Sequence, residues 1–129
     1  MIKILHVEDD ADIREIALMA LSLSGDFDVT QCESGEDAIK AVAHLQPDLF
    51  LLDVMMPGLT GPETLEHFRK DPSLSEVPVI FMTARAQSND VEWLYQLGAA
   101  QVISKPFDPL TLSTQIMTTM QMCHPRIAV

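Results

Sequence analysis

The stretch 48-DLFLLDVMMPG-58 decides how the rest of the chain is read. From Asp48 to Leu52 it is apolar after its first residue, with no alternation, as expected of a strand covered on both faces of a sheet. Pro57-Gly58 then signals a turn. Asp53 therefore stands where a buried strand leaves the sheet. Its carboxylate is a candidate turn residue, metal ligand or nucleophile.

Working outward, four further apolar runs read as strands: Lys3 to Val7, Phe27 to Gln31, Val77 to Thr83 and the short QVISK from Gln101. Amphipathic segments alternate with them. The first helix spans about 11–24, with Ile13, Ile16, Ala17 and Ala20 at helical spacing and Gly25 as a stop signal. Ser34 caps a second helix that ends before Gln46-Pro47, and Gly61-Pro62 open a third that ends near Asp71-Pro72. A fourth covers about 89–97, with Val91, Leu94, Tyr95 and Gly98 on one side, and the last runs from Pro109 to Cys123. Connections this short imply a parallel sheet with helices on both faces. Five units predict an α/β, flavodoxin-like doubly wound fold, strand order 2-1-3-4-5, with ligands at the carboxyl ends of the strands.

The 129 residues suit one domain, here residues 1–124 with a short tail, 125–129. The net charge of −11, from 19 acidic and 8 basic residues, argues against nucleic acid as a direct partner, because phosphate backbones need a basic face. No apolar run is long enough to span a membrane, and the start MIKILHVEDD lacks the pattern of a signal peptide. A cytoplasmic protein is expected, with Cys32 and Cys123 as reduced thiols.

The residues at the strand exits form a coherent set: Glu8-Asp9-Asp10, Asp53, Thr83-Ala84 and Ser104-Lys105-Pro106. Clustered carboxylates repel unless a cation relieves them. Hard oxygen donors in an open arrangement suit Mg²⁺, with Mn²⁺ as a substitute. Lys105 and Thr83 would offer a positive charge and a hydroxyl to an oxyanion at that metal, and a phosphoryl group matches all three. No glycine-rich nucleotide loop is present, so the phosphoryl group would come from an external donor. Asp10 and Asp12 read as helix-start charges. His6, His44, His67 and His124 have no ligand spacing and are read as structural or exposed.

Over nearly its whole length the chain resembles the receiver domain of two-component response regulators. The motifs are ILHVEDD with Asp9, LLDVMMPGLTG with Asp53, VIFMTA with Thr83, LGA at Leu97 to Ala99, and SKPF with Lys105. The resemblance implies phosphorylation of Asp53 by a histidine kinase or histidine phosphotransfer protein. It implies Mg²⁺ held directly by Asp9 and Asp53, through water by Glu8, and by the Met55 backbone carbonyl. Thr83 and Lys105 would contact the phosphoryl oxygens, and the Lys105-Pro106 bond would be cis. Such a domain is no enzyme in the ordinary sense: it catalyses only its own phosphorylation and slow dephosphorylation.

Two departures from the family pattern stand out. Val102 replaces an aromatic residue usual three positions before the lysine, which leaves the switch to backbone shifts or to Phe107 or Tyr95. Met55 and Arg85 line the approach of hydrolytic water in the family. Met55 cannot orient that water and Arg85 offers a charge-assisted contact, so slow loss of phosphate is expected. Trp93 lies off the apolar stripe of its helix. The last helix carries Leu110, Leu112, Ile116, Met117, Met120 and Met122, more than one buried face uses. A downstream partner or a homodimer is expected to bind through the last two helices. With only HPRIAV following, a stand-alone receiver is expected. The alternatives are a small aspartyl-phosphate phosphohydrolase, which would want an acid where Met55 stands, and a flavin module, whose phosphate Glu8-Asp9-Asp10 would repel.

Overall fold

The computed structural model describes residues 1–85 and 87–123. The elements run β1 (Ile2–Val7), α1 (Ala11–Ser22), β2 (Phe27–Cys32), α2 (Gly35–Val42), β3 (Leu49–Asp53), α3 (Gly61–Arg69), a 3₁₀ turn (Pro72–Leu74), β4 (Val79–Thr83), α4 (Ser88–Gln96), β5 (Gln101–Ser104) and α5 (Leu112–Cys123). The strands pair in parallel in the order β2-β1-β3-β4-β5, as the alternation predicts. His124 and the tail 125–129 fall outside the described residues.

Local chemistry sets the helix starts. Asp10 caps α1 by accepting from the Asp12 and Ile13 amides, and Ser34 caps α2 through the Asp37 amide. Thr60 and Glu63 form a reciprocal capping box on α3. Two elements start more than one residue later than expected. β4 begins at Val79 rather than Val77, because Pro78 has no amide to give a central ladder; its carbonyl instead accepts from Phe50. α5 begins at Leu112 rather than Pro109, because Asp108 folds the preceding residues into a turn, its carboxylate accepting from the Leu110 amide and its carbonyl from Thr111.

The sheet is buried on both faces, which is why β3 shows no alternation. On one face Ile4, Leu51, Ile80, Met82 and Ile103 pack against α1 and α5 through Ala17, Leu21, Leu112, Ile116 and Met120. On the other, Leu5, Phe50, Leu52 and Phe81 meet Ala38, Leu65, Phe68 and Leu94. Phe50 and Phe68 stack with ring centres 4.4 Å apart. Ile16 and Tyr95, placed by spacing among inward residues, are exposed, as are Leu18, Met19, Leu23, Trp93, Leu110 and Met122. Among the described residues no helix is long and apolar enough to cross a membrane.

Candidate functional site

β1, β3 and β5 deliver their ends to one pocket. Glu8 follows β1 and is fully buried, its amide bonded to the Cys32 carbonyl. Asp53 ends β3 and is also buried, whereas Asp9 faces solvent. One carboxylate oxygen from each of Glu8, Asp9 and Asp53 lies within 4.8 Å of the others. Lys105 leaves β5 with its amide bonded to the Thr83 carbonyl, and its peptide bond to Pro106 is cis. Its Nζ stands 2.6 Å from Glu8 Oε1 and 2.9 Å from Asp53 Oδ1. Asp10 stays out of the cluster: its amide donates to Glu8 Oε2 and its carboxylate caps α1.

Burial governs the electrostatics. It pushes the Glu8 carboxyl up to about 7, with the Asp53 charge adding to it and Lys105 holding it back. Asp53 is raised for the same first reason, with Lys105 again opposing. Burial pulls the Lys105 ammonium down, but its bonds to Glu8 and Asp53 and their charges outweigh that, so it is raised and stays charged. Three close hard-oxygen donors, two of them buried and sharing a single ammonium, fit a hard divalent cation.

The flanking residues are positioned as follows. The buried Thr83 hydroxyl accepts from the Arg85 amide at 2.9 Å and donates to the Arg85 carbonyl at 3.2 Å. Met55 is exposed between the buried Val54 and Met56, and Arg85 is exposed at the neighbouring loop. Val102 is half-buried against the core layer that holds Leu94 and Phe81. Gly61 is required by close approach, since a Cβ there would collide with the Asp53 carbonyl.

Sequence reading missed a group beside the acidic pocket. His6 is fully buried, with Gln31 Nε2 3.1 Å from its Nδ1. The same Gln31 nitrogen donates to the Arg14 carbonyl at 2.8 Å, and Arg14 Nη1 donates to the Glu8 carbonyl at 2.7 Å. Burial, followed by the charges of Lys105 and Arg14, lowers His6 to about 4, so it is neutral. The only signal in the sequence was a polar residue inside an aliphatic strand.

Paired carboxylates and a lysine thus stand at the carboxyl edge of a doubly wound sheet, where such folds bind their ligands. The comparisons name the class. The response regulator receiver domain profile matches residues 4–117, and the chain belongs to that family, which serves two-component signalling. It is 34% identical over 123 residues to the phosphate regulon transcriptional regulatory protein PhoB of Escherichia coli, covering 95% of this chain and 53% of that protein. It is 40% identical over 118 residues to the transcriptional regulatory protein CseB of Streptomyces avermitilis, covering 92% and 48%. The chain thus spans about half the length of these relatives. A response regulator structure from Desulfuromonas acetoxidans superposes with a TM-score of 0.86 at 25% identity, covering 95% of this chain and 98% of that one.

Proposed function

We propose that this chain accepts a phosphoryl group on Asp53 from a histidine kinase or histidine phosphotransfer protein, and that the modification alters a protein-binding face. The observation that carries the reading is the ammonium of Lys105 bridging Glu8 and Asp53, with Asp9 in reach of both carboxylates. An Asp53 oxygen attacks phosphorus as the donor's P–N bond breaks, and the released imidazole takes a proton from solvent. Lys105 keeps the buried Asp53 ionised for that attack and can follow the negative charge onto a phosphoryl oxygen. Glu8, Asp9 and Asp53, with the Met55 backbone carbonyl, would hold Mg²⁺ or Mn²⁺, which offsets the charge around the transferred group. Thr83 reaches the phosphoryl group by giving up its two bonds to the Arg85 backbone, so phosphorylation reshapes the loop after β4.

The output face is the one through the last two helices. Residues 93–104 and 109–123 contain no charged side chain, in a chain carrying −11. Apart from Asp90 and Glu92 at the start of α4, two copies, or a copy and an apolar partner, meet less repulsion there than the rest of the surface imposes. Trp93, Leu110 and Met122 are exposed on it, and the Tyr95 hydroxyl donates to Gln101 across α4 and β5. Val102 is too small to act as a rotamer switch, which leaves the route to backbone movement or to Phe107 or Tyr95. DNA contact, if relatives named as transcriptional regulators make it, would not use these acidic residues. The site serves the chain's own modification in the cytoplasm rather than turnover of an external substrate. Incubation with acetyl phosphate tests this. One phosphoryl group retained per chain supports it, and repeated release of phosphate from a phosphate monoester supports a phosphohydrolase instead.

A further inference from the structure

Gln31 bonds to a backbone carbonyl, and a carbonyl can only accept. The Gln31 group facing Arg14 must therefore be its NH₂, and both hydrogens are then used, one on the Arg14 carbonyl and one on His6 Nδ1. His6 Nδ1 must accept, so its proton sits on Nε2, an atom with no hydrogen-bond partner among the described residues. An imidazole is thus kept among Ile4, Leu51 and other aliphatic neighbours of the sheet, with one buried N–H left unmade. Packing does not explain it, because an aliphatic side chain would fill that layer without the loss.

What the imidazole does is orient Gln31, and the connections run on from there. Gln31 on β2 holds the Arg14 carbonyl of α1, and the Arg14 guanidinium reaches back to the Glu8 carbonyl. The half-buried Arg14, in a strongly acidic chain, makes its hydrogen bond to a backbone carbonyl, and that carbonyl belongs to the residue before Asp9. On the other side of Asp9, Asp10 is fixed as the cap of α1 and by its amide bond to Glu8 Oε2. Asp9 is therefore suspended between two anchored neighbours, and both anchors depend on where α1 sits against β1 and β2.

We infer that His6, Gln31 and Arg14 form a brace that positions Glu8 and Asp9 and so sets the affinity of the acidic pocket for its divalent cation. This rests on the metal-binding role proposed above. The three are positioning residues that act through the ligands. Partners hydrogen-bonded to a metal-ligating residue change affinity by about 10-fold or more when removed; Arg14 is that partner through the Glu8 carbonyl, and Gln31 and His6 act through Arg14.

The test is Mn²⁺ binding to the intact chain, followed by electron paramagnetic resonance, with melting temperature measured on each protein. His6→Leu removes the acceptor for Gln31 while suiting the aliphatic layer. His6→Asn places an amide oxygen near the Nδ1 position and keeps the acceptor. The brace predicts about 10-fold weaker Mn²⁺ binding in His6→Leu with no loss of melting temperature, and near wild-type binding in the less stable His6→Asn. Opposite orders of stability and affinity cannot come from a merely structural histidine. Arg14→Met is expected to weaken binding as His6→Leu does. Nitrogen-15 spectra of the wild type should show His6 protonated at Nε2 alone. Equal Mn²⁺ affinity in wild type and His6→Leu, equal weakening in His6→Asn, or a proton on Nδ1 would overturn the brace while leaving the metal site standing. Failure of the wild type to bind Mn²⁺ would overturn the metal site itself.

Discussion

Lys105 Nζ lies 2.9 Å from Asp53 Oδ1 while also contacting Glu8, so one ammonium compensates two buried carboxylates. Removing it strands both. Lys105→Met is expected to cost about 3 kcal/mol of stability at pH 8 without divalent cation, the scale of a broken buried ion pair. The loss should shrink at pH 5, where the carboxylates can take protons instead. Urea unfolding at the two pH values measures this, and equal losses would contradict it.

Glu8 and His6 pull the pH dependence in opposite directions. Folded Glu8 titrates at about 7 against an ordinary 4.5, so the folded state binds that proton more tightly and gains stability as pH falls from 7 to 4.5. Folded His6 titrates at about 4 against 6.5, so the unfolded state takes its proton first and stability is lost as pH falls from 6.5 to 4. Each gap is about 2.5 pH units, worth at most about 3 kcal/mol. In the wild type without metal these two contributions oppose each other between pH 6.5 and 4.5, with the raised Asp53 carboxyl acting in the same direction as Glu8. His6→Leu should gain stability on acidification across that range, and Glu8→Gln should lose it. Thermal melts in chelator read both, and the same slope in the two variants would refute the assignment.

Met55, exposed two residues after Asp53, has no group that could orient water for attack on a phosphorylated Asp53. Met55→Asn supplies one hydrogen bond of about 1 kcal/mol, which corresponds to roughly fivefold faster loss of phosphate. The decay of phosphorylated protein after removal of the donor gives the rate. An unchanged decay would remove Met55 from the account of lifetime.

Gly61→Ala pushes a methyl group into the Asp53 carbonyl, a backbone atom that cannot turn aside. The expected cost is about 2 kcal/mol, typical of overpacking, together with slower phosphorylation because the strand end carrying the carboxylate is displaced. A variant as stable and as quickly phosphorylated as the wild type would show that α3 retreats freely.

Much of the site was legible because strand exits can be read from where apolar runs stop. Glu8, Asp9, Asp53 and Lys105 each end or follow such a run, and the doubly wound topology brings those ends together. The cis bond at Lys105-Pro106 followed from the resemblance in the same way. β4 starts two residues later than its apolar run, because Pro78 interrupts a run that composition alone joins. Ile16 fits a helical stripe but lies on the outer side of α1, since spacing names a face without saying what covers it. The His6 brace was hidden for a deeper reason. It depends on β1 and β2 pairing with His6 opposite Gln31, a register that no local pattern encodes.

Nucleophilic attack by Asp53 on phosphorus can be read directly from the mass of the chain. Acetyl phosphate and Mg²⁺ should add one phosphoryl group to the intact chain, and fragmentation should place it on Asp53. Asp53→Ala should gain none, and chelation of the metal should prevent the gain in the wild type. A chain that gains no mass, or that gains as much in Asp53→Ala as in wild type, would contradict the account.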